Sequence, residues 1–299
     1  MPVSGGVDLY GASYRNFASA LYADIRREAF GDDIGQTGWL TAEEQDLFIA
    51  WLGLSRASHL LDVACGSGGP ALRIAQKTGC RLSGVDLHDE GIASAKASAK
   101  EMGCEERADF YRGDAAEGLA FEDRSFDAIT CIDAINHLPD RPRVLGEWHR
   151  LLKPGGRLLF TDPIVLTGPV TNREIATRAS IGLFVFVPAG LDETMLEQAG
   201  FEVERVEDRT QNMAANAAGW LDARARRESD LRAIEGDEPS MASSGFSRPL
   251  PSSPGRSGSR ASSYWHAGHP RDALTWSRRL GRVDWITQID VAVRIEPST

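Results

Sequence analysis

Apolar and polar residues recur along this chain with two periods, one helical and one of strands. Residues 7–53 carry the helical period: Tyr14, Phe17, Leu21 and Tyr22 share one face, followed by Ile25 and Phe30. The turn Gly31-Asp32-Asp33-Ile34-Gly35-Gln36-Thr37-Gly38 breaks that pattern. Thr41 then predicts an N-cap with Glu44 at the capping-box position, and Leu47, Phe48 and Trp51 are expected to face inward. From His59 onward, short apolar runs alternate with helical segments, the signature of a parallel sheet with crossover helices. Strands are predicted at 59–63, 81–85, 108–111, 126–131, 156–161 and 201–207, and helices at 70–78, 90–102, 141–152 and 191–199. The longest apolar stretch, Ile181 to Val187, reads as a buried strand or helical turn.

The first strand ends in a glycine turn, Asp62-Val63-Ala64-Cys65-Gly66-Ser67-Gly68-Gly69-Pro70, which opens a helix. Gly66 to Ala71 fit G-x-G-x-x-[GA], a spacing shared by dinucleotide enzymes and methyltransferases. Asp62, four residues before Gly66, separates the two. Its carboxylate would repel a pyrophosphate but suits a cationic partner, such as the ammonium and sulfonium of S-adenosylmethionine. The glycines admit close approach of the backbone, and the helix N-terminus can receive a carboxylate. Asp86, ending the second strand twenty residues after Gly66, can accept both hydroxyls of a ribose.

Composition narrows the class. The chain has 299 residues, 42% hydrophobic and 25% charged, enough for a buried core. Its net charge of −10 disfavours nucleic-acid binding. No apolar run reaches the ~18 residues of a membrane helix, and no secretory signal is visible, so a cytoplasmic protein is expected. Four cysteines without CxxC spacing argue against zinc and against a disulfide framework. From Pro239 the character changes: between 239 and 263 ten residues are Ser, four Pro and three Gly, and no acid occurs from Pro239 to Arg271. Strand-like alternation returns from Val283 to Ile295. The tail is either a linker with a docking strand or a frameshifted end of the gene, and a frameshift or disorder is the favoured expectation.

Further motifs point the same way: Gly84-Val85-Asp86, Arg112-Gly113-Asp114-Ala115, and Leu151-Leu152-Lys153-Pro154-Gly155-Gly156-Arg157-Leu158. With the glycine turn, they make the chain resemble the class I S-adenosylmethionine-dependent methyltransferases over about residues 10–235. The resemblance implies a Rossmann-like, doubly wound α/β fold with a mostly parallel sheet. The expected division is a helical N-terminal cap (1–53), the cofactor-binding domain (54–237) and the tail (238–299). Such sheets normally close with an antiparallel seventh strand near the C-terminus, where this chain has its anomalous tail. The cofactor contacts implied are Asp62, Ala64, Gly66, Gly68, Asp86, Leu87, Asp114, Ala115 and Asp133. Asp114 would meet the adenine amino group. The turn holding Gln36 and Thr37 would fold over the methionine end. The Lys-Pro-Gly-Gly turn is structural.

The segment after the fourth strand, Cys131-Ile132-Asp133-Ala134-Ile135-Asn136-His137-Leu138, resembles the small-molecule branch that includes phosphoethanolamine and sarcosine/glycine N-methyltransferases. In the phosphoethanolamine enzymes a His of this segment pairs with a Tyr of the N-terminal helix. His137 matches that His, whereas the Tyr does not align cleanly: Tyr14 and Tyr22 are both candidates, Tyr14 slightly ahead. Read from the residues alone, His137 is either a proton acceptor or a structural ring, and either tyrosine can be core packing. Thr167 to Pro188 is expected to be a substrate lid bearing Phe184, Phe186, Arg173 and Arg178. The expected activity is methyl transfer to N or O of a small molecule, with no nucleic-acid or membrane partner and no metal. Two rivals stand beside it: a cofactor-binding but inactive protein with a defective last strand, and an NAD-dependent dehydrogenase.

Overall fold

Apolar runs flanked by turn residues become sheet strands here because both faces of the sheet are covered by helices. The computed structural model describes residues 14, 16–179, 183–235 and 286–296. In chain order its elements are α1 (Ala20–Phe30), α2 (Ala42–Leu52), β1 (His59–Val63), α3 (Gly69–Thr78), β2 (Arg81–Asp86), α4 (Asp89–Glu101), β3 (Ala108–Arg112) and β4 (Phe126–Cys131). A 3-10 turn (Ile135–His137) follows, then α5 (Arg141–Leu151), β5 (Leu152–Leu166), α6 (Asn172–Ala179), β6 (Val187–Pro188), α7 (Leu191–Gln198), β7 (Glu202–Asp208), α8 (Thr210–Ala225), α9 (Glu228–Glu235) and β8 (Ile286–Arg294).

The strands lie in the order β3-β2-β1-β4-β5-β8-β7, with β6 paired to β5 off that path. The first five are parallel, and β8 runs antiparallel between β5 and β7. Successive residues of β1 alternate between two cores: Leu60 joins Leu72, Ala75, Ala95 and Phe48, whereas Leu61 and Val63 join Val144, Leu145 and Trp148. Thus α2, α3 and α4 cover one face, and α5 and α7 the other. A third cluster, Tyr22, Ile25, Ala223 and Leu231, packs α1 against α8 and α9.

Local signals explain the element ends. Thr41 accepts from the Glu44 backbone while Glu44 reaches back to the Thr41 backbone, a complete capping box at α2 worth about 1 kcal/mol. On α2, Phe48 is buried, but Leu47 is 50% exposed, against the inward position expected. Leu47 lies past the stripe that Gln45, Phe48 and Leu52 turn inward. The Lys153-Pro154-Gly155-Gly156 turn sits inside β5 as an irregularity, the register stepping from Phe126↔Leu152 to Ala128↔Arg157. β5 therefore begins earlier than predicted, and it also runs on to Leu166. Of the stretch expected to be a buried strand or helical turn, Ile181 and Gly182 lie outside the described residues, 183–186 carry no regular structure with Leu183 58% exposed, and Val187 is in a strand.

The end of the chain is the larger correction. Residues 286–294 pair with β5 from Arg157↔Arg294 to Leu166↔Ile286, and with β7 from Glu202↔Arg294 to Asp208↔Ile289. They form the antiparallel strand that closes the sheet, the docking strand of the first of the two readings of the tail, and are not disordered. The physical reason is the two-residue period: Ile289, Val291 and Val293 enter the core beside Phe160 and Leu196. The rest of the anomalous stretch, 239–285, lies outside the described residues.

Since Val291 and Val293 are fully buried, truncating either to Ala should cost about 2 kcal/mol in urea unfolding. Arg294→Ala, on the same strand but pairing at the surface with Glu202 and Glu204, should cost less than about 1 kcal/mol. Equal, small effects at all three positions would mean that the strand is not part of the folded core.

Candidate active site

The sheet order reverses beside β1, whose neighbours are β2 and β4. The connections leaving β1 and β4 lead to helices on opposite faces, so a crevice opens between them at the carboxyl edge. The β1 connection needs left-handed backbone at Ala64 (φ 57°), Gly66 (φ 53°) and Gly68 (φ 78°). Gly66 N–H donates to Asp86 Oδ2 at 2.8 Å, and His88 N–H to Asp86 Oδ1 at 2.9 Å. Asp86 thereby fixes the turn from the end of β2. Gly68 caps α3 without any side-chain hydrogen bond, which leaves the first N–H groups of the helix to other acceptors. Ser67 Oγ is buried with no hydrogen-bond partner among the described residues.

Asp62 lies beneath this turn. It is 7% exposed and accepts the Thr130 hydroxyl at 2.6 Å. Burial pushes its pKa from the ordinary 3.8 up to about 7, and the Asp86 charge adds to the rise. Leu87, 52% exposed, follows Asp86 at the rim. Asp114 is exposed and accepts the Ala116 N–H at 2.9 Å, with Ala115 buried next to it.

The N-terminal segment closes over the glycine turn. A Cβ on Gly66 would meet Tyr14 Oη at 3.1 Å and Thr37 Oγ1 at 3.5 Å. Tyr14 also stands edge-on to His88, with ring centroids 5.8 Å apart. Tyr22 lies elsewhere, beneath α9: its hydroxyl donates to Glu235, and burial with that carboxylate pushes its pKa up to about 12. The structure thus brings Tyr14, not Tyr22, to the cofactor turn. Gln36 is buried, but its amide is used locally, accepting from Ile34 N–H at 3.0 Å and donating to Asp32 O at 3.3 Å. Arg26, which the sequence did not single out, forks onto Asp33 at 2.6 and 3.1 Å and holds the turn to α1.

Across the crevice, Asp133 follows β4 with φ 52°. Its carboxylate receives Trp39 N–H at 2.6 Å, the Thr161 hydroxyl at 2.5 Å and the Gln288 amide at 3.3 Å. Burial nonetheless pushes its pKa up to about 6. Four residues on, His137 sets Nδ1 2.9 Å from Leu183 O and Nε2 3.3 Å from Asn136 Nδ2, with Phe184 edge-on at 4.6 Å. A carbonyl only accepts, so Nδ1 bears the proton. Burial holds the pKa of the ring below its ordinary 6.5, leaving a neutral imidazole with its lone pair on Nε2. Arg141, 2% exposed, bridges Asp162 and Asp192 at 2.6 Å each and reaches Val185 O at 3.4 Å. It ties α5, β5 and α7 behind the His137 loop. The side chains of Arg173 and Arg178 lie outside the described residues.

The donor set fits S-adenosylmethionine: an uncapped helix N-terminus, a buried orphan hydroxyl, and carboxylates at the ends of β1 and β2. Among the described residues no group of three His, Cys, Asp or Glu side chains could hold a metal, and no helix is long and apolar enough to cross a membrane.

A family model described as a methyltransferase domain matches residues 61–160. The 27-O-demethylrifamycin SV methyltransferase of Amycolatopsis mediterranei is 30% identical over 230 residues, 72% of this chain and 83% of that protein. The sterol 24-C-methyltransferase ERG6 of Saccharomyces cerevisiae is 35% identical over 167 residues, 54% of this chain but only 43% of that enzyme. The cyclopropane synthase MmaA2 from Mycobacterium tuberculosis has the same fold, with a TM-score of 0.70 at 18% identity over 97% of this chain and 99% of that one.

Four buried acids, Asp62, Asp133, Asp192 and Asp290, have pKa values raised to between about 6 and 7. Each favours the protonated fold, so stability should fall as pH rises from about 4 to 7. The depressed carboxylates Glu28, Asp46 and Glu147 act in the opposite sense, but from ion pairs at or near the surface that salt screens, and the two imidazoles that burial holds below 6.5, His59 and His137, oppose the four acids without outnumbering them. The ligand-free protein should therefore melt higher at pH 5 than at pH 8 in 0.3 M salt, and Asp62→Asn should narrow that gap. A gap of the opposite sign, or one that Asp62→Asn leaves unchanged, would contradict this assignment of buried charge.

Proposed function

The chain belongs to the class I S-adenosylmethionine-dependent methyltransferases, and on that premise we propose that it methylates a hydroxyl oxygen of a largely apolar small molecule, with His137 taking the proton. One observation carries this reading: His137 is a neutral imidazole at the crevice, its proton committed to Leu183 O. A free amine presents its lone pair without help, whereas a hydroxyl must shed a proton as it attacks. The apolar character comes from Phe184, packed on His137, and from the exposed Leu183. The rifamycin relative, whose name denotes an O-demethylated substrate, agrees with an oxygen acceptor.

When bound, S-adenosylmethionine supplies an electrophilic methyl group on a sulfonium sulfur, and the electron pair of the broken bond stays on that sulfur. Asp86 would accept from the ribose hydroxyls, Asp62 would face the methionine ammonium, and the N-terminus of α3 would receive its carboxylate. Ala64, Gly66 and Gly68 would keep the backbone close to the cofactor. Leu87, Asp114 and Ala115 would border the adenine. Thr37 and Tyr14 would cover the methionine end, with Gln36 and Asp133 shaping the cover rather than the contact. His137 Nε2 would take the hydroxyl proton as the oxygen bonds to the methyl carbon. Holding acceptor and methyl in line supplies most of the rate, and the base adds on the order of 100-fold.

N-methylation is the second reading, favoured by the likeness of residues 131–138 to the phosphoethanolamine enzymes. A panel of apolar alcohols, phenols and amines with methyl-labelled cofactor separates the two. The expected outcome is label on oxygen, with His137→Ala lowering turnover on the order of 100-fold at unchanged affinity for S-adenosylhomocysteine. Label on nitrogen only, or full turnover in His137→Ala, would overturn the proposal.

A further inference from the structure

Asn136 is only 1% exposed, and its Oδ1 has no partner among the described residues. A buried amide with an unmet acceptor destabilises the fold, and an apolar residue of similar size would avoid the loss. Its place is nonetheless firmly set, because Asn136 O accepts Val185 N–H at 2.7 Å. What the side chain does make is a contact with its neighbour: Nδ2 stands 3.3 Å from His137 Nε2. With Nδ1–H given to Leu183 O at 2.9 Å, Nε2 is an acceptor and the amide is its donor. The two hydrogen bonds together admit a single tautomer of the ring.

We propose that Asn136 is a positioning residue that fixes His137 with its lone pair on Nε2 and occupies that lone pair until the hydroxyl of the methyl acceptor replaces the amide. The proposal rests on the reading of His137 as the base. It adds that the resting ring is held in a masked state by its own sequence neighbour. The segment 183–185 takes part, since Leu183 O and Val185 N–H clamp the two residues from the lid side. The charged group that the ring feels is Asp162, itself neutralised by Arg141.

The test is the ring state of His137 in the full-length protein, read by long-range 1H–15N NMR, together with the pH profile of turnover. In the wild type the proton should sit on Nδ1. Asn136→Leu removes a donor that favours the neutral ring, so the pKa of His137 should rise by about half a unit. Asn136→Asp, nearly isosteric, places a carboxylate beside Nε2 and should raise it by about one unit or more. The acidic limb of kcat/KM should move by the same amounts, with S-adenosylhomocysteine affinity within twofold of the wild type. If Asn136→Leu does not fold, Asn136→Asp alone decides. A wild-type proton on Nε2, or an unchanged His137 pKa in a folded variant, would overturn the role of Asn136. Full turnover in His137→Ala would instead sink the base reading while leaving the tautomer result standing.

Discussion

The geometry of the crevice depends on one carboxylate, Asp133. It sits where β4 ends, in a left-handed conformation that a non-glycine residue adopts only under constraint from its surroundings. Three donors supply that constraint, each from a different part of the chain: Trp39 in the cap, Thr161 in β5 and Gln288 in β8. Thr161 Oγ1 also accepts the Asp133 N–H at 2.7 Å. The cap, the parallel strands and the antiparallel closing strand therefore meet at a single side chain. Gly38 must be glycine because a Cβ there would run into that carboxylate. The direction in which the chain leaves Asp133 sets the 3-10 turn and, with it, His137.

This arrangement carries an electrostatic cost that the sheet core must offset. Asp62, Asp133 and Asp290 are buried near one edge of the sheet, and each prefers to be protonated. Such acids do little for an empty fold, but a cation placed beside one in that low dielectric would favour its ionised form and be met by a carboxylate. Arg141, by contrast, is paired with two carboxylates, Asp162 and Asp192, behind the His137 loop. The site thus divides between the acid beneath the glycine turn, Asp62, and a neutral, apolar surface around His137 and Phe184. That division suits a charged donor and an uncharged acceptor.

Much of this was legible in the sequence, and the gaps have physical causes. The parallel strands were readable because burial on both faces makes them nearly continuous apolar runs, and α2 because Thr41 and Glu44 cap it locally. The cofactor turn was readable because its glycines and carboxylates lie close together in sequence. β8 was misjudged because the composition of residues 239–263 was carried over to a strand whose own alternation, from Ile286 to Arg294, was sound. The choice between Tyr14 and Tyr22 could not be made from spacing, since the apolar period put both on one helical face, whereas Ser19 caps a new helix between them and Glu235 of α9 takes the Tyr22 hydroxyl. Arg26, Asn136 and Gln288 gave no signal at all: their roles exist only through partners that the fold brings to them, and no local pattern marks them.

On the proposed reading His137 takes the proton of the acceptor, so that proton is the most direct probe of the chemistry. The decisive measurement is the rate of methyl transfer in a single turnover, followed against pH in the wild type and in His137→Ala with a hydroxyl acceptor. A wild-type rate that falls tenfold per pH unit below the pKa of His137, and a variant on the order of 100-fold slower with that limb abolished, is the predicted result. Identical pH profiles in the two proteins would contradict it.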